Sequence, residues 1–239
     1  MHRFFSDPSL VQGGYIALDK ETLAHLRVLR LTPQEIFAVC NGAGLDYHCI
    51  LDDDRAKILS SEKNMAEPTV RATVYLAFTR GERMEWAIQK SVELGAYAIC
   101  LFPAARAVVK YDEKGLSKKQ IRWQKIAEEA AKQSGRGQIP QICAMSHYKV
   151  AMEKAANADL ALFFYENERK RKLSCVLGER SQYKTVSLVI GPEGGFTEDE
   201  VQVASELGLT SVSLGQRILR CETAPVAALA ALLYATGEL

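Results

Sequence analysis

The stretch TVSLVIGPEGGFTEDEVQVASELGL, residues 185–209, decides how this chain is read. An unbroken apolar run, a glycine-rich turn and an amphipathic segment follow one another directly. A strand without polar alternation is buried on both faces, as in a parallel sheet covered by helices. Working outward, the same alternation recurs in VRATVYLAF (70–78), ERMEWAIQKSVELGA (82–96), YAICLFPA (97–104) and SKKQIRWQKIAEEAAKQSG (117–135). It continues through ADLALFFYE (158–166), SVSLGQ (211–216) and a last helix over PVAALAALLYATG (225–237). Residues 68–239 therefore read as an α/β domain built on a parallel sheet.

Before Pro68 the texture differs. EIFAVC (35–40), LDYHCIL (45–51) and RAKILSS (55–61) are short strand-like runs, and Asn41-Gly42 predicts a tight hairpin. Residues 1–67 are thus expected to form a small antiparallel barrel, with Leu23, Leu26 and Leu29 striping one helix and His25 packed beside it. At 239 residues, 48% hydrophobic and 25% charged, the chain matches two modest globular domains.

The formal net charge of +1 hides a local imbalance. Residues 104–138 carry nine Lys or Arg against four acids, a local charge of +5, and RKRK stands at 169–172. The six cysteines include no C-x-x-C pair, which argues against a zinc site and for reduced thiols. The N-terminus has no signal-peptide core and no segment is apolar for a membrane's width, so a cytoplasmic protein without membrane or metal is expected.

IGPEGGFTEDE (190–200) and SLGQRILRCETAP (213–225) lie where strands of an open parallel sheet end, which is where such sheets bind ligands. Neither is a phosphate loop. Glu193 occupies the second glycine position of a dinucleotide fingerprint, and no G-K-[ST] follows. Thr197 with Glu200 forms a capping box, and Glu198 and Asp199 add negative charge, so an anion is disfavoured there. A cationic ligand such as S-adenosylmethionine suits the turn better. Gly191, Gly194 and Gly195 are expected to let backbone groups approach that ligand. In the second stretch, Arg217 and Arg220 precede Thr223, the expected N-cap, and Pro225 in the first helical turn.

These stretches, with IQKSVELG (88–95), RAVVK (106–110), RWQKIAEEAAKQSGR (122–136), HRFF (2–5) and HLRVLR (25–30), carry a resemblance that spans nearly the whole chain. The chain resembles the bacterial RsmE family, uridine-N3 methyltransferases of 16S ribosomal RNA within the SPOUT class. The resemblance implies a PUA-like RNA-binding β-barrel, an α/β SPOUT domain with a C-terminal trefoil knot, and a homodimer acting on the small ribosomal subunit.

It also implies roles. Gly191, Glu193 and Gly194 match the family's cofactor turn, and Leu214, Gly215, Ile218 and Leu219 the loop around the adenosine. Phe164, Ile190 and Thr223 complete the set for S-adenosylmethionine. Arg220, with Arg217, is expected to hold a uracil carbonyl, and Glu222 to take the N3 proton. Gln216 and Cys221 depart from the family's usual proline and threonine, and a nucleophilic Cys221 is the weaker reading, because N3 transfer needs no covalent adduct. Arg3, Arg30, Arg106, Lys110, Arg122 and Arg136 are the expected RNA contacts. Trp123 reads as buried more readily than as a stacking platform, and Trp86, Ile88 and Val92 read as core. The rival readings are an RNA-binding assembly factor without transfer activity, a SPOUT enzyme acting at another RNA position, and an oxidoreductase that the glycine spacing disfavours.

Overall fold

The computed structural model describes residues 1–32, 34–178 and 183–239. The chain divides into two compact units, residues 1–67 with 131–139, and residues 68–130 with 140–239. A boundary at Glu67–Pro68 is present, but the segment 131–139 returns to the first unit, which no composition shift announces.

The first unit contains β1 (Arg3–Phe5), β2 (Val11–Gln12), β3 (Tyr15–Ala17), α1 (Lys20–Leu29), β4 (Phe37–Cys40), β5 (Leu45–Asp52) and β6 (Arg55–Lys63). They form one sheet in the order β1-β4-β5-β6-β3-β2. The pairing is mixed, because β1 runs parallel to β4 while the other pairs are antiparallel. That corrects the wholly antiparallel expectation. The β4–β5 connection is also longer than a two-residue hairpin. Residues 41–44 form it, with the Asn41 side chain accepting from Ala43 and Leu45 backbone N–H groups at 2.8 and 3.0 Å. The two-residue turn lies instead between β5 and β6, where Asp53 adopts φ 53°. Alternation buries Phe4, Ile16, Phe37, Val39, Cys49 and Ala56 under Leu26 of α1. His25 packs edge-on against Phe4.

The segment 131–139 joins this unit through polar bonds. Glu67 accepts from Arg136 at 3.2 and 2.6 Å and from the backbone N–H groups of Gly137 and Gln138 at 3.0 Å each. Asn64 donates to Gly135 O and to Asp46, which also accepts from Arg3 at 2.6 Å. A β-carbon on Gly137 would strike the Asn64 side chain, so glycine there is a packing requirement.

The second unit contains β7 (Arg71–Ala77), α2 (Gly81–Glu93), β8 (Ala98–Phe102), α3 (Glu113–Gln133), β9 (Gln141–Ala144), α4 (Tyr148–Ala155), β10 (Leu160–Phe164), α5 (Leu173–Gly178), β11 (Thr185–Ile190), α6 (Glu198–Glu206), β12 (Thr210–Val212) and α7 (Thr223–Thr236), the last turn of α3 lying in the first unit. The sheet is wholly parallel, in the order β12-β10-β11-β7-β8-β9. Tyr75, Phe102, Met152, Phe163, Val189 and Phe196 belong to a core cluster on it. On α2, Met84, Ala87, Ile88, Ser91 and Val92 are buried at helical spacing, while Trp86 is 42% exposed and is not core. Trp123 is 1% exposed between Phe78 and Tyr111, a packed residue.

The parallel register between β8 and β9 sets Cys100 opposite Cys143 with Cα atoms 4.7 Å apart, which brings the two sulfurs together. The partners are 43 residues apart, so spacing rules could not pair them. Among the described residues no helix is long and apolar enough to cross a membrane, and no cluster of three acidic, His or Cys side chains could hold a metal.

Removing the Glu67 carboxylate breaks a buried ion pair whose guanidinium is 3% exposed. Glu67→Ala is expected to destabilise the first unit by about 3 kcal/mol in urea unfolding, and an unchanged midpoint would contradict this clamp.

Candidate active site

The carboxyl ends of β10 and β11 and the chain after β12 surround a cavity of about 440 Å³. Its apolar wall is Phe164, Ile190, Leu214, Ile218 and Leu219, and its polar wall includes Glu193, Arg217, Arg220 and Glu222. Gly191, Gly194 and Gly215 also line it, so two stretches separated in sequence meet at one sheet edge. Every residue expected to hold the cofactor lines this cavity except Thr223, which is exposed at the start of α7.

The helix starts explain how both stretches are held. At α6, the Thr197 hydroxyl accepts from the Glu200 N–H at 3.3 Å and the Glu200 carboxylate accepts from the Thr197 N–H at 2.9 Å, the reciprocal box read from sequence. The start of α7 differs from expectation. Glu222 is its N-cap, Thr223 is its first residue, and the N–H groups of Thr223 and Ala224 both reach the Arg220 carbonyl at 2.9 Å. The Glu222 backbone is already helical, so the chain turns one residue earlier than a Thr cap would require.

The glycines serve packing as well as the cavity. A β-carbon on Gly191 would lie 2.9 Å from the Phe196 ring, and one on Gly194 would lie 2.9 Å from the Arg106 side chain. Gly195 has φ 67° and sits against the Glu166 carboxylate. Besides lining the cavity, Gly191 and Gly194 thus carry a packing role, because protein side chains lie where a β-carbon would be.

The charges around the cavity are organised by a residue that sequence reasoning did not single out. Arg83, in the first turn of α2, places Nη1 3.4 Å from Glu193 and Nε 3.8 Å from Glu222. The Arg80 N–H also donates to Glu193 at 3.4 Å. By contrast, Arg217 and Arg220 are exposed, and neither makes a side-chain hydrogen bond or ion pair among the described residues. No sequence signal marked Arg83, because a basic residue early in an amphipathic helix is ordinary surface. Glu166 and Arg169, in the loop after β10, also line the cavity; Arg169 was visible only as part of the basic run 169–172, and Glu166 carried no signal.

Cys221 is buried and donates to Glu222 at 3.2 Å. Burial, followed by the carboxylates of Glu222 and Glu193, pushes its thiol up to about 12. A thiol so raised is almost wholly protonated at neutral pH and is no nucleophile. Burial of Glu222 favours its neutral form, but a bond from its own N–H, the Cys221 thiol and the nearby Arg83 and Arg220 outweigh that and hold the carboxyl below its ordinary range. The Glu222 carboxyl is therefore ionised at neutral pH, the state from which a proton acceptor starts.

The expected RNA contacts separate into groups. Arg3 and Arg136 are tied into the first unit by Asp46 and Glu67. Arg106 donates to the carbonyls of Gly194 and Phe196 at 3.3 and 3.1 Å, bracing the glycine turn. Arg122 pairs with Glu85 at 2.7 Å but remains 63% exposed. Arg30, which ends α1 in a left-handed conformation, and Lys110 are exposed.

Two substitutions check this account. Gly191→Ala should cost about 1–3 kcal/mol of thermal stability with no ligand present, through overpacking against Phe196. At pH 8, iodoacetamide should label exposed Cys175 and spare Cys221, measured by peptide mass spectrometry; rapid labelling of Cys221 would refute its burial and raised thiol.

A family model described as an RNA methyltransferase domain matches residues 66–233. The ribosomal RNA small subunit methyltransferase E of Bacillus subtilis is 33% identical over 249 aligned positions, covering 99% of this chain and 97% of that protein. The enzyme of the same name from Synechocystis is 32% identical across 96% of this chain and 76% of its own. A crystal structure of a ribosomal RNA small subunit methyltransferase E from Neisseria gonorrhoeae, bound to S-adenosyl methionine, is 35% identical with a TM-score of 0.86, covering 98% of this chain and 97% of that one. With a glycine turn and an arginine loop meeting at one parallel-sheet edge, and likeness over essentially the full length, the chain belongs to the ribosomal RNA small subunit methyltransferase E family.

Proposed function

We propose that this protein transfers a methyl group from S-adenosylmethionine to N3 of a uridine in 16S ribosomal RNA. The observation that carries the proposal is the cavity wall itself. Apolar side chains fit a flat adenosine, carboxylates fit a cationic carrier, and two exposed arginines face the same space. No phosphate-binding loop is present in the motif that lines it.

Phe164, Ile190, Leu214, Ile218 and Leu219 would enclose the adenosine, with the turn at Gly191–Gly194 along it. When bound, S-adenosylmethionine supplies an electrophilic methyl group on a sulfonium. Glu193 and Glu222 place negative charge beside a site for that cation. Arg220, assisted by Arg217, holds a uracil carbonyl and stabilises the negative charge that N3 deprotonation spreads onto it. The N3 proton passes to solvent, and the ionised Glu222 stands beside Arg83 and Arg220 as their counter-charge. N3 lies on the pairing edge of the base, so the target uridine must be unpaired or flipped out. Arg30, Lys110 and Arg122 offer charge for the RNA backbone. Threading of the C-terminal chain into a trefoil knot and action in the cytoplasm belong to the same proposal.

A homodimer is part of this reading. On α7 the half-exposed Val226, Ala227, Ala230 and Ala231 form an apolar stripe that ends at Tyr234, which is 77% exposed. The stripe adjoins a second cavity of about 570 Å³ lined by Leu173, Leu177 and Leu214. A second copy of the chain would cover this face.

Small ribosomal subunits from cells lacking the gene should lose one methyluridine by mass spectrometry and regain it with pure protein and S-adenosylmethionine. Arg220→Ala should lower turnover by about 100-fold while cofactor affinity by calorimetry stays within about threefold. Wild-type protein that binds RNA but takes up no S-adenosylmethionine would point instead to an assembly factor.

A further inference from the structure

The cavity wall carries four arginines, Arg83, Arg169, Arg217 and Arg220, and three carboxylates, Glu166, Glu193 and Glu222. Among the described residues, only Arg83 of those arginines is paired with a carboxylate, and it is paired with two. It reaches them from a third element. Glu193 stands in the turn after β11, Glu222 caps α7, and Arg83 approaches both from the first turn of α2. The Glu193 contact is a long charged hydrogen bond at 3.4 Å, and the Glu222 contact at 3.8 Å is an ion pair without a hydrogen bond.

The consequence falls on Arg220. It is two residues from Glu222, and the two charges already influence one another. Were Arg83 absent, Glu222 would keep Arg220 as its one cationic neighbour among the described residues, together with the Cys221 thiol. A guanidinium paired with a carboxylate has its positive field cancelled and part of its donor fork occupied. It could then neither hold a uracil carbonyl nor stabilise charge on it. An exposed ion pair contributes little to stability, so stability alone gives Arg83 no reason to sit here.

We propose that Arg83 is a positioning residue for methyl transfer: it holds Glu193 and Glu222 on the α2 side of the cavity and so reserves Arg220 for the acceptor base. The inference rests on the reading of the cavity as a methyltransferase site. Arg83 touches neither the base nor the methyl group in this scheme; it acts through Glu222.

The test compares wild type, Arg83→Met, Arg83→Lys and the double variant Arg83→Met/Glu222→Gln. Each is assayed for S-adenosylmethionine affinity by calorimetry, thermal midpoint, and single-turnover methylation of small ribosomal subunits from cells lacking the gene. Arg83→Met should lose about tenfold in the methylation rate, with cofactor affinity within about threefold and an unchanged midpoint. Arg83→Lys keeps the charge and should recover most of the rate. At saturating S-adenosylmethionine, which removes any loss of cofactor binding from the Glu222 change, the double variant should be about fivefold faster than Arg83→Met, because the neutral amide no longer competes for Arg220. The inference is overturned if Arg83→Met methylates at the wild-type rate, if its cofactor affinity falls in step with its rate, or if the double variant is no faster than the single one. A wild-type protein that neither binds S-adenosylmethionine nor methylates would bring down the methyltransferase reading itself, and this inference with it.

Discussion

One buried carboxylate holds the candidate site in place. Glu200 accepts from the Ala105 N–H at 2.8 Å through one oxygen and from the Thr197 N–H at 2.9 Å through the other. Its backbone carbonyl accepts from the Tyr148 hydroxyl at 2.7 Å. The start of α6, the chain after β8 and the start of α4 are thereby fixed to one residue. Arg106, next to Ala105, then reaches the carbonyls of Gly194 and Phe196. The glycine turn is consequently rigid before any ligand arrives, and preorganisation of this kind lowers the cost of binding. A buried carboxylate is tolerable only when hydrogen bonds satisfy it, and here backbone donors do so from two directions.

Rigidity of one wall gives meaning to the charges on the other. The glycine turn carries Glu193, the start of α7 carries Glu222, and α2 packs against α7 with Arg83 reaching both acids. The arginines in the loop after β12 line the same cavity and make no side-chain hydrogen bond or ion pair among the described residues. Acidic groups therefore stand compensated and basic ones stand available, an arrangement suited to an acceptor that becomes anionic as it reacts. Cys221 contributes bulk and a weak hydrogen bond to Glu222, and burial raises its thiol.

Much of the site was legible because its signals are local. The capping box at Thr197 and Glu200 depends on four consecutive residues, and the failed phosphate-loop spacing on six, so neither needs the fold to be known. The burial of Trp123 followed from its place on an amphipathic helix, whereas Trp86, on an equally amphipathic helix, projects outward. Periodicity marks a stripe, and a residue on the edge of the stripe can fall either way. Arg3, Arg106 and Arg136 looked like free charge because sequence shows a side chain's sign without its partner. Asp46, the Gly194 carbonyl and Glu67 lie 43, 88 and 69 residues away from them.

By itself the sequence determined the α/β class of the second unit, the run of strands and helices, and the two stretches that line the cavity. These follow from hydrophobic periodicity and turn chemistry, which act over a few residues. Tertiary structure alone decided the return of residues 131–139 to the first unit, the Cys100–Cys143 pairing and the bridge from Arg83 to Glu193 and Glu222. Each depends on strand register or helix packing between distant parts of the chain. Such contacts are set by the whole core, and no local pattern encodes them.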